Sequence, residues 1–201
     1  MDQSNAIEKA ARFVSLIPFK NDTEHFKDLP DIYCDAQEFI DLRAGDFEEH
    51  AILLCCFFMF IDQKIYKRDD VKSYVVMGKG LPEGNTLYVL RRLIGSNFVE
   101  IWNPQTGEPF VFQNEEYVTK LLNIIPVSRG FRNLNDIEDQ ACPLTSVGCV
   151  FDDRNVYVNI QKSDSPGEIS YNIDDPTKWE PFLNEDQTKV FFPKGIESFQ
   201  K

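Results

Sequence analysis

The residues able to do nucleophilic or metal chemistry are few: two histidines, His25 and His50, and five cysteines, Cys34, Cys55, Cys56, Cys142 and Cys149. A thiol enzyme needs a thiolate beside an imidazole base and a third group that orients the base. Cys55 and Cys56 follow His50 at i+5 and i+6, about 140° and 240° around a helix. Helical side chains meet at i+3 or i+4, so neither thiol faces His50. His50 reads instead as a helix-start residue or a packed core imidazole. His25 falls in a polar loop. Six residues separate Cys142 from Cys149, more than a zinc pair uses. The odd cysteine count argues against a complete disulfide framework. These thiols read as small buried or half-buried hydrophobes.

Other chemistries fare no better. There is no Gly-x-Ser-x-Gly elbow. Gly78-Lys79-Gly80 lacks the spacing and the Lys-Ser/Thr end of a phosphate loop. The acidic pairs Asp69-Asp70, Asp152-Asp153 and Asp174-Asp175 lack the alternating oxygens and closing Glu of a calcium loop. They read as solvated turns. No cofactor and no metal are expected.

Composition narrows the partners. The chain has 201 residues, enough for one domain with its own core, and 42 % of them are hydrophobic. The 17 phenylalanines argue against disorder. A net charge of −12 opposes binding to phosphate backbones and anionic membranes. Neither nucleic acid nor a small-molecule substrate is expected. The N-terminus carries no signal-peptide pattern, and the longest apolar run, residues 51–61, is too short for the roughly 20 residues of a spanning helix. An intracellular location without a transmembrane segment is expected.

The elements that must position these residues are legible from period and punctuation. Residues 4–17 read as an amphipathic helix capped by Ser4 or Asn5 and ended by Pro18. A short helix is expected over 35–42. Gly45-Asp46-Phe47-Glu48-Glu49 is the clearest start signal, with Asp46 as N-cap and Glu49 as its N3 partner. The helix that follows, 50 to about 63, is apolar nearly all round and so belongs at the centre. Strands are expected at 74–77, 86–90, 98–102 and 110–112, separated by turn residues, as an antiparallel meander. Residues 115–125 suggest a short helix. A hairpin turns at Asp152-Asp153-Arg154-Asn155. Ile169, Tyr171 and Ile173 suggest another strand, and Asp175-Pro176 with Trp179 a short terminal helix. The fold class is α+β, one domain over 1–201.

A buried helix after Gly45 followed by strands is the layout of papain-like and transglutaminase-like thiol enzymes. There the nucleophilic Cys sits at the helix N-terminus, where the dipole stabilises the thiolate. Several stretches carry a closer resemblance. They are Ala44-Gly45-Asp46-Phe47-Glu48-Glu49-His50-Ala51, Leu81-Pro82-Glu83-Gly84-Asn85-Thr86-Leu87-Tyr88, Ile101-Trp102-Asn103-Pro104-Gln105-Thr106-Gly107, Cys142-Pro143-Leu144-Thr145 and Trp179-Glu180-Pro181-Phe182. In this order they resemble the transglutaminase-like domain of the coiled-coil and C2 domain-containing family of the ciliary transition zone. A related peptidase-like domain occurs in a centrosomal protein and a dynein regulatory complex subunit. Residues 113–141 are expected to be an insertion or loop relative to that pattern.

The resemblance implies a transglutaminase-like/papain-like core, a buried central helix packed on an antiparallel sheet. Active relatives read Gly-x-Cys at the helix start, which puts Phe47 at the nucleophile position. The base position falls on Thr86 and the orienting position on Asn103. Phe cannot form a thiolate and Thr cannot act as an imidazole base. Asp46, Glu48 and Glu49 would oppose a thiolate there in any case. The resemblance implies a pseudoenzyme without catalytic residues, a scaffold module at the cilium base (transition zone, basal body) in contact with other transition-zone proteins. Phe47, Thr86, Tyr88 and Trp102 would bound any remaining peptide groove, or Phe47 would fill it as core. Two alternatives are weighed beside this. One is a cysteine peptidase or transglutaminase-type enzyme using Cys55 or Cys56. The other is a tubulin-tail binder with a local basic patch of Lys64, Lys67, Arg68, Lys72, Arg91 and Arg92.

Overall fold

A computed structural model describes residues 6–21, 34–95, 98–112, 142–184 and 187. The expected caps Ser4 and Asn5, the loop with His25, the helix at 115–125 and the insertion 113–141 lie outside the described residues.

The helices form where local signals agree. Helix α1, Ala6–Ser15, turns Ala11 and Val14 inward. Helix α2, Ala36–Leu42, is capped by Asp35, whose side chain accepts from the Gln37 and Glu38 amides, while Glu38 answers to the Asp35 amide. Helix α3, Phe47–Phe60, opens on the expected reciprocal cap of Asp46 and Glu49. It starts three residues earlier than expected and continues as one wider π turn over Ile61–Ile65.

Seven antiparallel strands form one sheet in the order β4-β3-β2-β1-β5-β6-β7. They are β1 Val71–Gly80, β2 Gly84–Leu93, β3 Val99–Trp102, β4 Pro109–Phe112, β5 Leu144–Phe151, β6 Val156–Asn159 and β7 Trp179–Pro181. The meander and the 152–155 hairpin stand as expected. Strands β1 and β5 approach closely because β1 carries glycine there. A Cβ on Gly78 would lie 1.9 Å from the Ser146 carbonyl oxygen.

Alternation along the strands divides two cores across the sheet. Val75, Leu87, Val89 and Trp102 face α3 and pack with Ala51, Leu54, Cys55 and Phe58. Tyr74, Val76, Tyr88, Leu90 and Ile101 face the other way. That second core is closed by Ile169, Tyr171 and Ile173, which corrects one expectation. Their alternation supplies core side chains, but their backbone bonds locally, as in Ile169 N to Ser165 O and Ile173 N to Tyr171 O, rather than joining a ladder. A second correction concerns the chain's last described element. The expected terminal helix is instead the edge strand β7, where Pro181 costs no ladder bond on its outer side.

Candidate functional site

The start of α3 gathers the polar groups. Glu48 N donates to Asp46 Oδ1 at 3.1 Å and Asp46 N donates to Glu49 Oε2 at 3.0 Å. Asp46 and Glu49 are 8 % and 5 % exposed. Burial, and then the Glu48 carboxylate, push Asp46 up to about 7. Burial also raises Glu49, and the Asp46 charge adds to this. The helix dipole favours anions here, but two buried carboxylates share one set of amides.

Next to them His50 is buried, with Nδ1 2.6 Å from the Asp46 carbonyl oxygen and Nε2 3.0 Å from that of Ile17. Carbonyl oxygens only accept, and a neutral ring has one N–H to give. His50 is a packed imidazole whose single N–H serves either the Asp46 carbonyl within α3 or the Ile17 carbonyl beyond α1. Phe39 lies against it at 4.9 Å between ring centres. The same Phe39 ring explains Gly45, since a Cβ there would come within 2.7 Å of it.

Phe47, at the position the resemblance gives to a nucleophile, is the first residue of α3. It is half-buried against the helix-side core, its ring 4.9 Å from that of Phe19 at 64°. Thr86, at the base position, is buried at 3 % exposure. It faces the side of the sheet that holds Tyr88, away from α3, as its contact distance to a Cβ on Gly80 also indicates. Asn103, at the orienting position, is buried and fully engaged. Its Oδ1 accepts from the Gln105 and Thr106 amides, at 2.9 and 3.3 Å, and its Nδ2 donates to Tyr88 Oη at 3.2 Å. The structure thus joins Asn103 to Tyr88, and places Phe47 and Trp102 together in the other core. Tyr88 and Trp102 are buried at 1 % and 2 %, so of the four groove positions only Phe47 reaches the surface.

Four of the thiols are shifted upward, away from the thiolate. Cys55 is buried and burial raises it well above an ordinary thiol, with the Cys56 thiol and the charges of Asp152 and Asp153 adding to this. Desolvation and then Asp153 raise Cys56. Burial pushes Cys142 up to about 11 and raises Cys149. Among the described residues no three His, Cys, Asp or Glu side chains gather as metal ligands, and no helix is long and apolar enough to cross a membrane.

Two arginines of the expected basic patch turn inward. Arg91 bonds Asp62 in the π turn at 2.8 Å and Glu100 on β3 at 3.0 Å, and Glu100 also accepts from Trp102 Nε1. Arg92, 4 % exposed, pairs with Asp174 and donates to the Tyr171 carbonyl. Sequence reasoning missed these pairs, because nothing local links Arg91 to Asp62 across 29 residues. It also missed the Asp35–Glu38 cap, although its D-x-x-E spacing is readable.

A central helix packed on an antiparallel sheet is the architecture of a transglutaminase-like, peptidase-like α+β domain. LapG of Legionella pneumophila has this fold, with a TM-score of 0.50 at 12 % identity over 81 % of this chain and 71 % of that one. The chain belongs to the CEP76 peptidase-like domain family, whose profile matches residues 31–182. Human Protein CC2D2B is 34 % identical over 94 % of this chain and 11 % of its own length. The Centrosomal protein of 76 kDa of Xenopus laevis is 23 % identical over 94 % of this chain and 26 % of its own. Coiled-coil and C2 domain-containing protein 2A of Drosophila melanogaster is 22 % identical over 89 % and 11 %. The chain thus spans from 11 % to 26 % of the length of these relatives.

Proposed function

We propose that this domain is a non-catalytic protein-interaction module of a ciliary transition-zone scaffold, supporting the assembly and gating of the cilium from its base. The observation that carries the reading is the start of α3. Phe47, at the position the resemblance gives to a nucleophile, opens α3 in ring contact with Phe19 and is flanked in sequence by the carboxylates of Asp46 and Glu48. A thiolate would be repelled there and a benzyl side chain cannot replace it. Asn103 supports the same reading, since its amide oxygen is already spent on the 103–106 turn and has nothing left to orient a base. The four residues expected to bound a groove do not line one: Thr86 and Tyr88 are buried on one face of the sheet and Trp102, with Phe47, lies on the other. Centrosomal protein of 76 kDa, by its name a centrosomal protein, supports a location near the basal body. Its partners are other transition-zone proteins.

Localisation of the tagged 201-residue chain in a ciliated cell, with proximity labelling, tests this. A ring at the cilium base with transition-zone proteins labelled around it is the expected result. A diffuse signal with no such neighbours would count against the reading.

A further inference from the structure

Residues 17–20 leave α1 and cross the start of α3 as an extended strap. Gly45 spends both of its backbone groups on it in a parallel bridge to Phe19. Its N–H donates to the Pro18 carbonyl at 3.3 Å and its carbonyl accepts from Lys20 N at 2.8 Å. One residue earlier, the Ile17 carbonyl faces His50 Nε2 at 3.0 Å. The Phe19 ring sits edge-on to Phe47 and within 6.2 Å of the His50 ring. Two main-chain bonds to the single residue Gly45, outside the sheet, and an aromatic ring set against Phe47 hold this segment in place.

We infer that Gly45, Phe47 and His50 form a docking site for an extended Pro-aromatic segment, which the chain's own residues 17–20 occupy as an internal ligand. This rests on the interaction-module reading and names the surface and the partner chemistry. The partner is a segment with a carbonyl for His50, a proline that asks for no N–H partner, an aromatic ring for Phe47, and a following amide for the Gly45 carbonyl. Proline keeps such a segment extended and lowers the ordering cost.

In this proposal the strap exchanges with an outside segment. Ile17 is half-buried, but Pro18 is exposed and the Phe19 ring is 42 % exposed. A segment with so little buried apolar surface opens locally at small cost. α1 itself stays anchored through Ala11 and Val14, both fully buried, so the strap can leave while α1 remains. The tether gives the strap an effective concentration on the order of millimolar, which an outside segment must beat. Weakening the strap therefore strengthens binding from outside.

The probe is the peptide acetyl-Leu-Ile-Pro-Phe-Lys-Asn-amide, the sequence of residues 16–21, labelled and titrated into the whole chain. The Phe19→Ala chain should bind it at least about tenfold more tightly than the unmodified chain, and the peptide with Ala in place of Phe should bind neither. Hydrogen exchange should show the Gly45 amide losing protection in Phe19→Ala while the α3 interior keeps its own, which establishes that the variant is folded. No binding to a folded Phe19→Ala chain, or equal binding to both chains, overturns the inference. Proximity labelling at the cilium base that persists after such a result would leave the interaction-module reading standing and remove only this site.

Discussion

Phe47 is the residue on which chemistry and packing meet. Its ring is half-buried against Phe19 and the helix-side core, so truncation loses part of the roughly 3–5 kcal/mol of a fully buried Phe. Phe47→Ala should cost about 1.5–3 kcal/mol in urea unfolding. The carboxylates beside it give a pH signature. Asp46 is raised from 3.8 to about 7 in the fold, so its contribution is fully present below about pH 4 and is lost as pH rises to about 7. Glu49 shifts in the same direction. Asn caps a helix as well as Asp does, without the charge. Asp46→Asn should therefore gain on the unmodified chain as pH rises, its melting-temperature advantage at pH 8 exceeding that at pH 5 by roughly 3–8 °C. An advantage at pH 5 that vanishes at pH 8 would reverse the sign and sink the account. The reciprocal Asp46–Glu49 cap was readable because its signal is local, three residues wide. The turn over 103–107 was readable from its Asn, Pro and Gly, but that Asn103 spends its amide oxygen on it is shown only by the geometry.

At the scale of elements, the joint between α3 and the sheet is electrostatic as well as apolar. Asp62 in the π turn, with 2 % of its side chain exposed, is matched by Arg91 through two bonds of 2.8 Å. Removing Asp62 takes away two of the bonds of the buried Arg91 and leaves Glu100 as its carboxylate partner. Asp62→Ala should cost about 3 kcal/mol in unfolding, whereas Asp70→Ala, whose pair with Arg68 is exposed, should cost under about 1 kcal/mol. Equal losses for the two would show that the π turn is not pinned in this way. The central helix and the hairpins were legible because period and turn residues are local. Ile169, Tyr171 and Ile173 misled because alternation reports which side chains enter the core, not whether the backbone pairs. β7 was hidden for a related reason: three residues at an edge, one of them Pro181, carry almost no strand signal.

For the molecule as a whole, one sheet separates two cores, and the positions that the resemblance matches to a thiol-enzyme layout fall on both sides of it. Phe47 and Trp102 serve the core under α3, and Tyr88 serves the other. Long-range features of this kind, like the inward turn of Arg91 and Arg92, depend on the register of strands that are distant in sequence. In the proposed reading, such a domain contributes surface rather than reactivity. The most direct measurement is alkylation of the intact chain by iodoacetamide at pH 7.5, with each cysteine followed by mass spectrometry. Burial raises Cys55, Cys56, Cys142 and Cys149, so each should react more slowly in the folded chain than in the same chain unfolded in urea. Any one of them reacting faster when folded would reveal an activated thiolate and contradict the non-catalytic account.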